Sequence, residues 1–358
     1  MRVVVTGATG NVGTSVLDAL NADPAVDSIV GLARRVPAAD PLPGGRWSKV
    51  TWAEGDVVTS DLAPIFSGAD AVVHLAWLIQ PSHRPDVLRA TNVDGSRRVF
   101  EAAAAAGVRH LVHASSIGAY SPGPKDEFVT ESWPTTGTHS SFYARHKSEV
   151  ERLLDSFQVA NPDIRVVRLR PALIFKREAA SRIKRLFFGS RFPSLLLRPS
   201  LLPIVPRARR LVFQAVHTDD VAEAYRQAVV KGDAHGAFNL AAEPVLSGEE
   251  LGRALGARPV PVPMAALRIG ADLSWRLRLQ PTPSGWVDMA ANVPLLDSGR
   301  ARRELGWSPT TSATDAIREL FEGLAEGAAG PTPALSRRED PPHAAEEQEA
   351  VSVDHGAG

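Results

Sequence analysis

The chain opens MRVVVTGATGNVGTSVLDAL, where an apolar run breaks into glycines at Gly7, Gly10 and Gly13 and passes directly into helical spacing. Val3, Val4 and Val5 read as a buried strand, and Val12, Val16, Leu17 and Leu20 share one face of a helix beginning at Asn11. Glycines between such a strand and helix permit a tight turn and close backbone approach, and they leave the first helical amides free to bind a pyrophosphate. The alternative is a glycine-rich turn without a ligand. The agreement of strand, turn and helix favours the cradle.

The pattern repeats downstream. DSIVGLA, SKVTWAEGD, DAVVHLA, RHLVHASS and IRVVRLRP read as further strands, and amphipathic stretches lie among them, including TNVDGSRRVFEAAAAAG, which stops at Gly107. This alternation predicts an α/β fold, a Rossmann-type doubly wound parallel sheet covered by helices on both faces. After Pro171 it gives way to a segment rich in Pro and Arg, and helices are then expected around 219–230, 247–255, 264–277 and 313–324. The expected organisation is a dinucleotide-binding domain over 1–170, whose core also receives segments near 211–240. A smaller substrate-binding lobe is expected over 171–325, followed by a disordered tail over 326–358, where Ala, Gly, Pro and Glu leave little to bury.

Composition narrows the partners. The 358 residues carry 40 basic and 40 acidic side chains, so no overall field draws the chain to nucleic acid. Cysteine is absent, which excludes disulfides and thiolate chemistry. The start enters a strand without signal-peptide architecture and no apolar run is long enough to span a bilayer, so no transmembrane segment and a cytoplasmic location are expected.

The residues after the second strand bear on the choice of cofactor. An acid there would accept hydrogen bonds from the adenosine ribose, but Ala33 is followed by Arg34 and Arg35, whose guanidinium groups suit a 2′-phosphate. NADP is thereby favoured over NAD, the alternative being two surface arginines. Asp56 ends the third strand, either accepting from the adenine amino group or capping a turn.

A catalytic pair lies in SSFYARHKSEVE. Tyr143 and Lys147 are four residues apart, on one face of a helix. A free phenol titrates near ~10, too high for a base at neutral pH, and an ammonium group within ~4 to 6 Å, joined by an oxidised nicotinamide, would lower it. Ser115 and Ser116 end the fifth strand, at the sheet edge where ligands of such folds sit. The competing reading is an exposed pair on a helix surface.

Taken in order, TGATGNVG, VVHLAW, TNVDGS, ASSIGAY, SFYARHK, VHTDDVAEAY and DSGRARRELGWSPT resemble the motifs of the extended short-chain dehydrogenase/reductase superfamily, also called the NAD-dependent epimerase/dehydratase family, over roughly residues 1–325. The resemblance implies Tyr143 as general acid/base, Ser116 as the holder of the substrate oxygen, and Lys147 on the nicotinamide ribose. It also implies Asn92 as a support of the active-site backbone. The expected cofactor contacts are Gly7, Thr9, Gly10, Asn11, Val12, Gly13, Arg34, Arg35, Asp56, Val57, Leu75, Ala76, Asn92, Tyr143, Lys147 and Pro171. Relatives commonly dimerise through two helices, here those after Asn92 and bearing Tyr143, so a homodimer is possible.

Departures from the family pattern divide the reactions. Ile117 and Gly118 stand where 4,6-dehydratases carry an Asp-Glu pair, which disfavours dehydration. Leu173 stands where sugar-nucleotide epimerases often carry Asn, and Lys176 replaces a glycine, while Arg170-Pro171 also occurs in relatives that reduce ketones and aldehydes. The expected function is a nucleotide-sugar epimerase-like oxidoreductase acting on a small-molecule substrate, with an NADPH-dependent ketone or aldehyde reductase as the alternative. A cofactor-holding sensor without turnover is a third reading, disfavoured by the Tyr-Lys pair.

The segment 176–210 reads as the substrate cover. It combines Arg182, Lys184, Arg185, Arg191 and Arg198 with Leu186, Phe187, Phe188 and Phe192, so it suits either an anionic, greasy substrate or an ordinary amphipathic lid. His110 and His113 should point to opposite faces of one strand, and no metal site is expected. His217 should begin a capped helix, and His146 should be exposed.

Overall fold

The computed structural model describes residues 1–37, 45–80, 82–189 and 203–337. In chain order its elements begin with β1 (Arg2–Thr6), α1 (Asn11–Ala22), β2 (Ser28–Ala33), β3 (Val50–Glu54), α2 (Ala63–Phe66), β4 (Ala71–His74) and α3 (Pro85–Arg89). After a π-turn at Ala90–Asp94 come α4 (Gly95–Ala105), β5 (His110–Ala114), β6 (Phe128–Val129), α5 (Phe142–Ala160), β7 (Arg165–Pro171), β8 (Leu173–Phe175) and α6 (Ala180–Phe187). The remainder comprises β9 (Ile204–Arg207), β10 (Ala215–His217), α7 (Thr218–Val230), β11 (Gly236–Leu240), α8 (Gly248–Leu255), β12 (Arg258–Pro261), α9 (Met264–Arg276), α10 (Gly285–Asn292), β13 (Leu295–Leu296) and α11 (Ala313–Glu326).

Seven strands form one sheet in the order β11-β7-β5-β4-β1-β2-β3, every pair parallel. The order reverses at β1, so the crevice at the carboxyl ends of β1 and β4 is the switch point where ligands of such sheets bind. The strands' valines and leucines are buried on both faces, as an all-parallel sheet requires. One core layer joins α1 and α7 to one side, and the other joins α4 and α5 to the opposite side. The six strands read from the sequence are β1, β2, β3, β4, β5 and β7, and β11 is the seventh. Its GAFNL carries only two large apolar side chains, a weak periodic signal that packing against β7 compensates.

Gly7 shows why the turn after β1 needs glycine. Its φ is +70°, and a Cβ there would lie 2.8 Å from the Ala76 backbone nitrogen. A side chain would therefore push apart the two strand ends that make the crevice.

Apart from this sheet, a second layer is built from the strand pairs β8–β10, β9–β12 and β6–β13, with β6 preceding β7 in the chain, and from helices α6 and α8 to α11. Lys176 ties this lobe to the first: its Nζ donates to Thr14 Oγ1 at 2.8 Å and Ser15 Oγ at 3.0 Å on α1. Both donors it uses are thereby committed to α1. The disorder expected from residue 326 does not hold for 327–337. Ala328 N donates to Gly323 O at 2.8 Å, and Leu335 is completely buried, an apolar anchor too sparse for composition to reveal. Residues 338–358 lie outside the described residues.

Candidate active site

A cleft of about 380 Å³ runs from the glycine turn past β2 to Tyr143 and on to α6 and α10. At its phosphate end, Gly10 caps α1 without any side-chain hydrogen bond, so the first amides of a twelve-residue helix face the cleft. Arg34 and Arg35 are exposed on its rim. Asp56 caps a turn, Oδ1 accepting from Val58 N at 2.8 Å, and the residue also lines the cleft. A bare helix N-terminus, a turn that excludes side chains at Gly7 and flanking arginines are the donor set a dinucleotide phosphate requires, and these residues fit one.

Of the cofactor contacts expected, all but Asn92 line this cleft. Asn92 is wholly buried behind its wall, with Oδ1 accepting from Leu78 N at 2.7 Å and Nδ2 donating to Leu78 O at 2.8 Å. Its amide is saturated by the backbone it supports, and its neighbour Thr91 faces the cleft instead.

The candidate catalytic residues Ser116, Tyr143 and Lys147 stand at the far end. Ser116 follows β5 and caps a short 3₁₀ turn, Oγ accepting from Gly118 N at 3.0 Å, so its own proton is free to reach into the cleft. The neighbouring Ser115 hydroxyl is committed elsewhere, donating to Glu151 Oε1 at 2.5 Å. Tyr143 lies in the first turn of α5, a helix started by Ser141, whose Oγ accepts from Ala144 N. Burial raises the phenol's pKa above 10, and a hydrogen bond with Ser116 acts in the opposite direction without overcoming it.

This differs from the depressed phenol expected from the sequence. Lys147 lies 5.8 Å from the Tyr143 ring but is itself only 3% exposed, and burial drives its amine well below the usual lysine value. The burial that raises the phenol thus also disfavours the lysine's charge, which weakens its pull on the phenol. Its Nζ donates to Ala114 O at 2.7 Å and sits 3.4 Å from the centroid of the Trp77 ring.

Glu151 continues the stripe of Tyr143 and Lys147 along α5. Only 1% exposed, it accepts from Arg170 Nε at 2.8 Å and from Arg168 Nη1 at 2.9 Å, and these partners hold its carboxyl down at about 2. His146, expected at the surface, is buried against Asn92, and desolvation pushes it down to about 4. The α4 side of the sheet closes over a helix face that the sequence left ambiguous. His217 caps α7 as read, its Nδ1 accepting from Asp219 N. His110 meets Arg165, and the His113 ring lies 5.4 Å from that of His74.

Sequence reasoning missed the walls around Tyr143. Trp77 meets its ring edge-on at 6.0 Å, Trp286 lies against it at 5.0 Å, and Phe187 of α6 packs on Trp286 at 5.1 Å. Trp77 extends the HLAW strand end, so that signal was present. Trp286 had none: it arrives because α10 approaches α5 so closely that a Cβ on Gly285 would lie 2.4 Å from Ser140 O. The lid's basic residues are occupied in various ways. Arg185 holds the backbone of Ser336 and Arg182 overlooks the glycine turn, while Arg191, Phe192 and Arg198 lie outside the described residues.

Sheet, glycine turn and Ser-Tyr-Lys stripe together define a dinucleotide-dependent enzyme architecture. The chain belongs to the NAD dependent epimerase/dehydratase family, whose model matches residues 3–241. An uncharacterized protein of Mycobacterium tuberculosis is 26% identical over 332 residues, 90% of this chain and 83% of the relative. A UDP-glucose 4-epimerase of Mycolicibacterium smegmatis is 32% identical over 172 residues, 44% of this chain and 51% of that one. Among solved structures, the Thermus thermophilus UDP-glucose 4-epimerase in complex with NAD superposes with a TM-score of 0.65 at 20% identity, covering 92% of this chain and all (100%) of that one. The dTDP-glucose 4,6-dehydratase of Streptomyces venezuelae, with NAD bound, gives 0.65 at 21% identity, covering 92% and 99%. At these identities the structures establish the fold.

Proposed function

We propose that this chain is an NADP-dependent oxidoreductase acting at the carbonyl or carbinol carbon of an apolar, ring-bearing substrate. The observation that carries this reading is the substrate side of the cleft: Trp77, Trp286 and Met289 pack around Tyr143, Phe187 packs on Trp286, and Leu173 lines the same cleft, giving aromatic and apolar surface. A diphosphate-linked sugar buried there would lose solvation that these side chains do not replace. Arg34 and Arg35, with no acid at the end of β2, support the 2′-phosphorylated cofactor.

A bound nicotinamide supplies or accepts the hydride. Ser116, already accepting from Gly118, donates its hydroxyl to the substrate oxygen and orients it toward Tyr143. The phenol, kept protonated by burial, gives its proton to that oxygen as the carbon is reduced. The phenolate so formed favours the protonated state of Lys147, whose charge the Trp77 face shelters from water. In the oxidative direction the same groups act in reverse, the phenolate removing the carbinol proton.

Nucleotide-sugar epimerisation is the second reading, favoured by the likeness to UDP-glucose 4-epimerases. Purified protein mixed with NADPH and a panel of aromatic and polycyclic ketones, or with UDP-sugars, separates the two. Stoichiometric NADPH oxidation by a ketone is expected. Interconversion of a UDP-sugar without net cofactor change would overturn the proposal in favour of the epimerase.

A further inference from the structure

The lobe that approaches the substrate also reaches over the phosphate end of the cleft. Helix α6 turns Ile183, Leu186 and Phe187 toward the cleft, and Arg182 Nη1 comes within 3.7 Å of where a Cβ on Gly10 would stand. A guanidinium from the second lobe therefore overlooks the turn whose amides await an anion. Behind it, the chain after α11 does not leave the molecule. Gly327 (φ +64°) reverses direction, Ser181 N donates to Ala328 O at 3.1 Å, and Arg185 Nη1 donates to Ser336 O at 2.7 Å, so the last described residues are bound to α6.

The strap then latches onto the cofactor turn itself. Thr332, 1% exposed, donates from Oγ1 to the backbone oxygen of Thr9 at 2.7 Å, and Pro333 and Ala334 line the cleft. Its own fold is closed by Gly330 N donating to Leu335 O at 3.0 Å around the buried Leu335 side chain. We propose that α6 and the strap of residues 327–337 form a second wall of the dinucleotide site, setting Arg182 on the pyrophosphate and making cofactor release wait for the strap to lift. This rests on the cofactor binding proposed above. Recognition is of the diphosphate: two negative charges lie between the α1 amides and a guanidinium, which pairs with phosphate through parallel hydrogen bonds.

Stopped-flow fluorescence of NADPH (or NADH, if that binds better) chased with excess oxidised dinucleotide reads the release rate in the full chain. Thr332→Val, which removes only the latch hydroxyl, and Leu335→Ala, which empties the strap's anchor, should each release the dinucleotide about tenfold faster, while Thr332→Ser keeps the original rate. Arg182→Ala should weaken ADP about tenfold and leave adenosine within about twofold, since only ADP carries the diphosphate. If Leu335→Ala fails to fold, Thr332→Val still decides the latch. Unchanged release from folded Thr332→Val, or equal weakening of ADP and adenosine by Arg182→Ala, would overturn the proposal. Failure of the unaltered chain to bind either dinucleotide would instead remove the cofactor reading on which it stands.

Discussion

Tyr143 is the residue proposed to move the proton, and its environment sets a direction. A phenol raised by burial is a proton donor at neutral pH and a poor acceptor. The reductive rate should therefore hold through neutrality and fall as alkaline conditions remove the proton, while the oxidative rate rises over the same range. Rate profiles in both directions test this, and an oxidative rate that peaks below neutrality would contradict it. Tyr143→Phe should lower turnover by about 10² to 10⁴ while dinucleotide binding, followed by fluorescence titration, is kept. Arg34→Ala should weaken NADP about tenfold and change NAD little, because only NADP carries the phosphate that a guanidinium grips. Tyr143, Lys147 and Ser116 were legible in sequence because each lies on an element with a strong local signal. The lowered pKa of Lys147 was not, since its burial is completed by Trp77, which comes from the loop after β4.

At the scale of elements, β5, α5 and β7 are joined by a buried ionic cluster beneath the reactive serine. Glu151 on α5 receives Ser115 from the end of β5 and both Arg168 and Arg170 from β7. Removing one member of such a group leaves buried charges without partners, so Glu151→Gln should cost about 3 to 5 kcal/mol in chemical denaturation. A loss below about 1 kcal/mol would mean that water already screens the cluster. Period and punctuation made the six strands and α1, α4, α5, α7, α8, α9 and α11 readable. What they could not show was which loops meet: α10 reaches Tyr143, and the strap reaches Thr9, through contacts between residues far apart in the chain.

Among the described residues, four buried histidines, His74, His110, His113 and His146, are held toward their neutral forms by the fold. His74 and His110 are held down at about 3 and His146 at about 4, all chiefly by desolvation. Each depressed value means that the unfolded chain binds the extra proton first, so stability is complete above about 6.5 and is lost as pH falls toward the folded values. At pH 5.5 each group costs about 1.4 kcal/mol relative to neutrality. Thermal unfolding followed from pH 7.5 to 5 should show this decline, and His146→Gln should make it shallower; identical slopes would remove His146 from the account. The end of the strand-helix alternation after Pro171 was visible in the sequence, but the crossing of Lys176 and of the strap back to α1 and the glycine turn was not, for neither has a periodic signature.

The central claim is that a hydride passes between a nicotinamide and the carbon of an apolar carbonyl held at Tyr143. NADPH deuterated at nicotinamide C4, incubated with the chain and a reactive ketone from the panel, tests it by mass spectrometry of the alcohol. Deuterium on the carbinol carbon, absent with Tyr143→Phe, is the predicted result. Unlabelled alcohol, or labelled alcohol formed equally well by the Tyr143→Phe chain, would contradict the account.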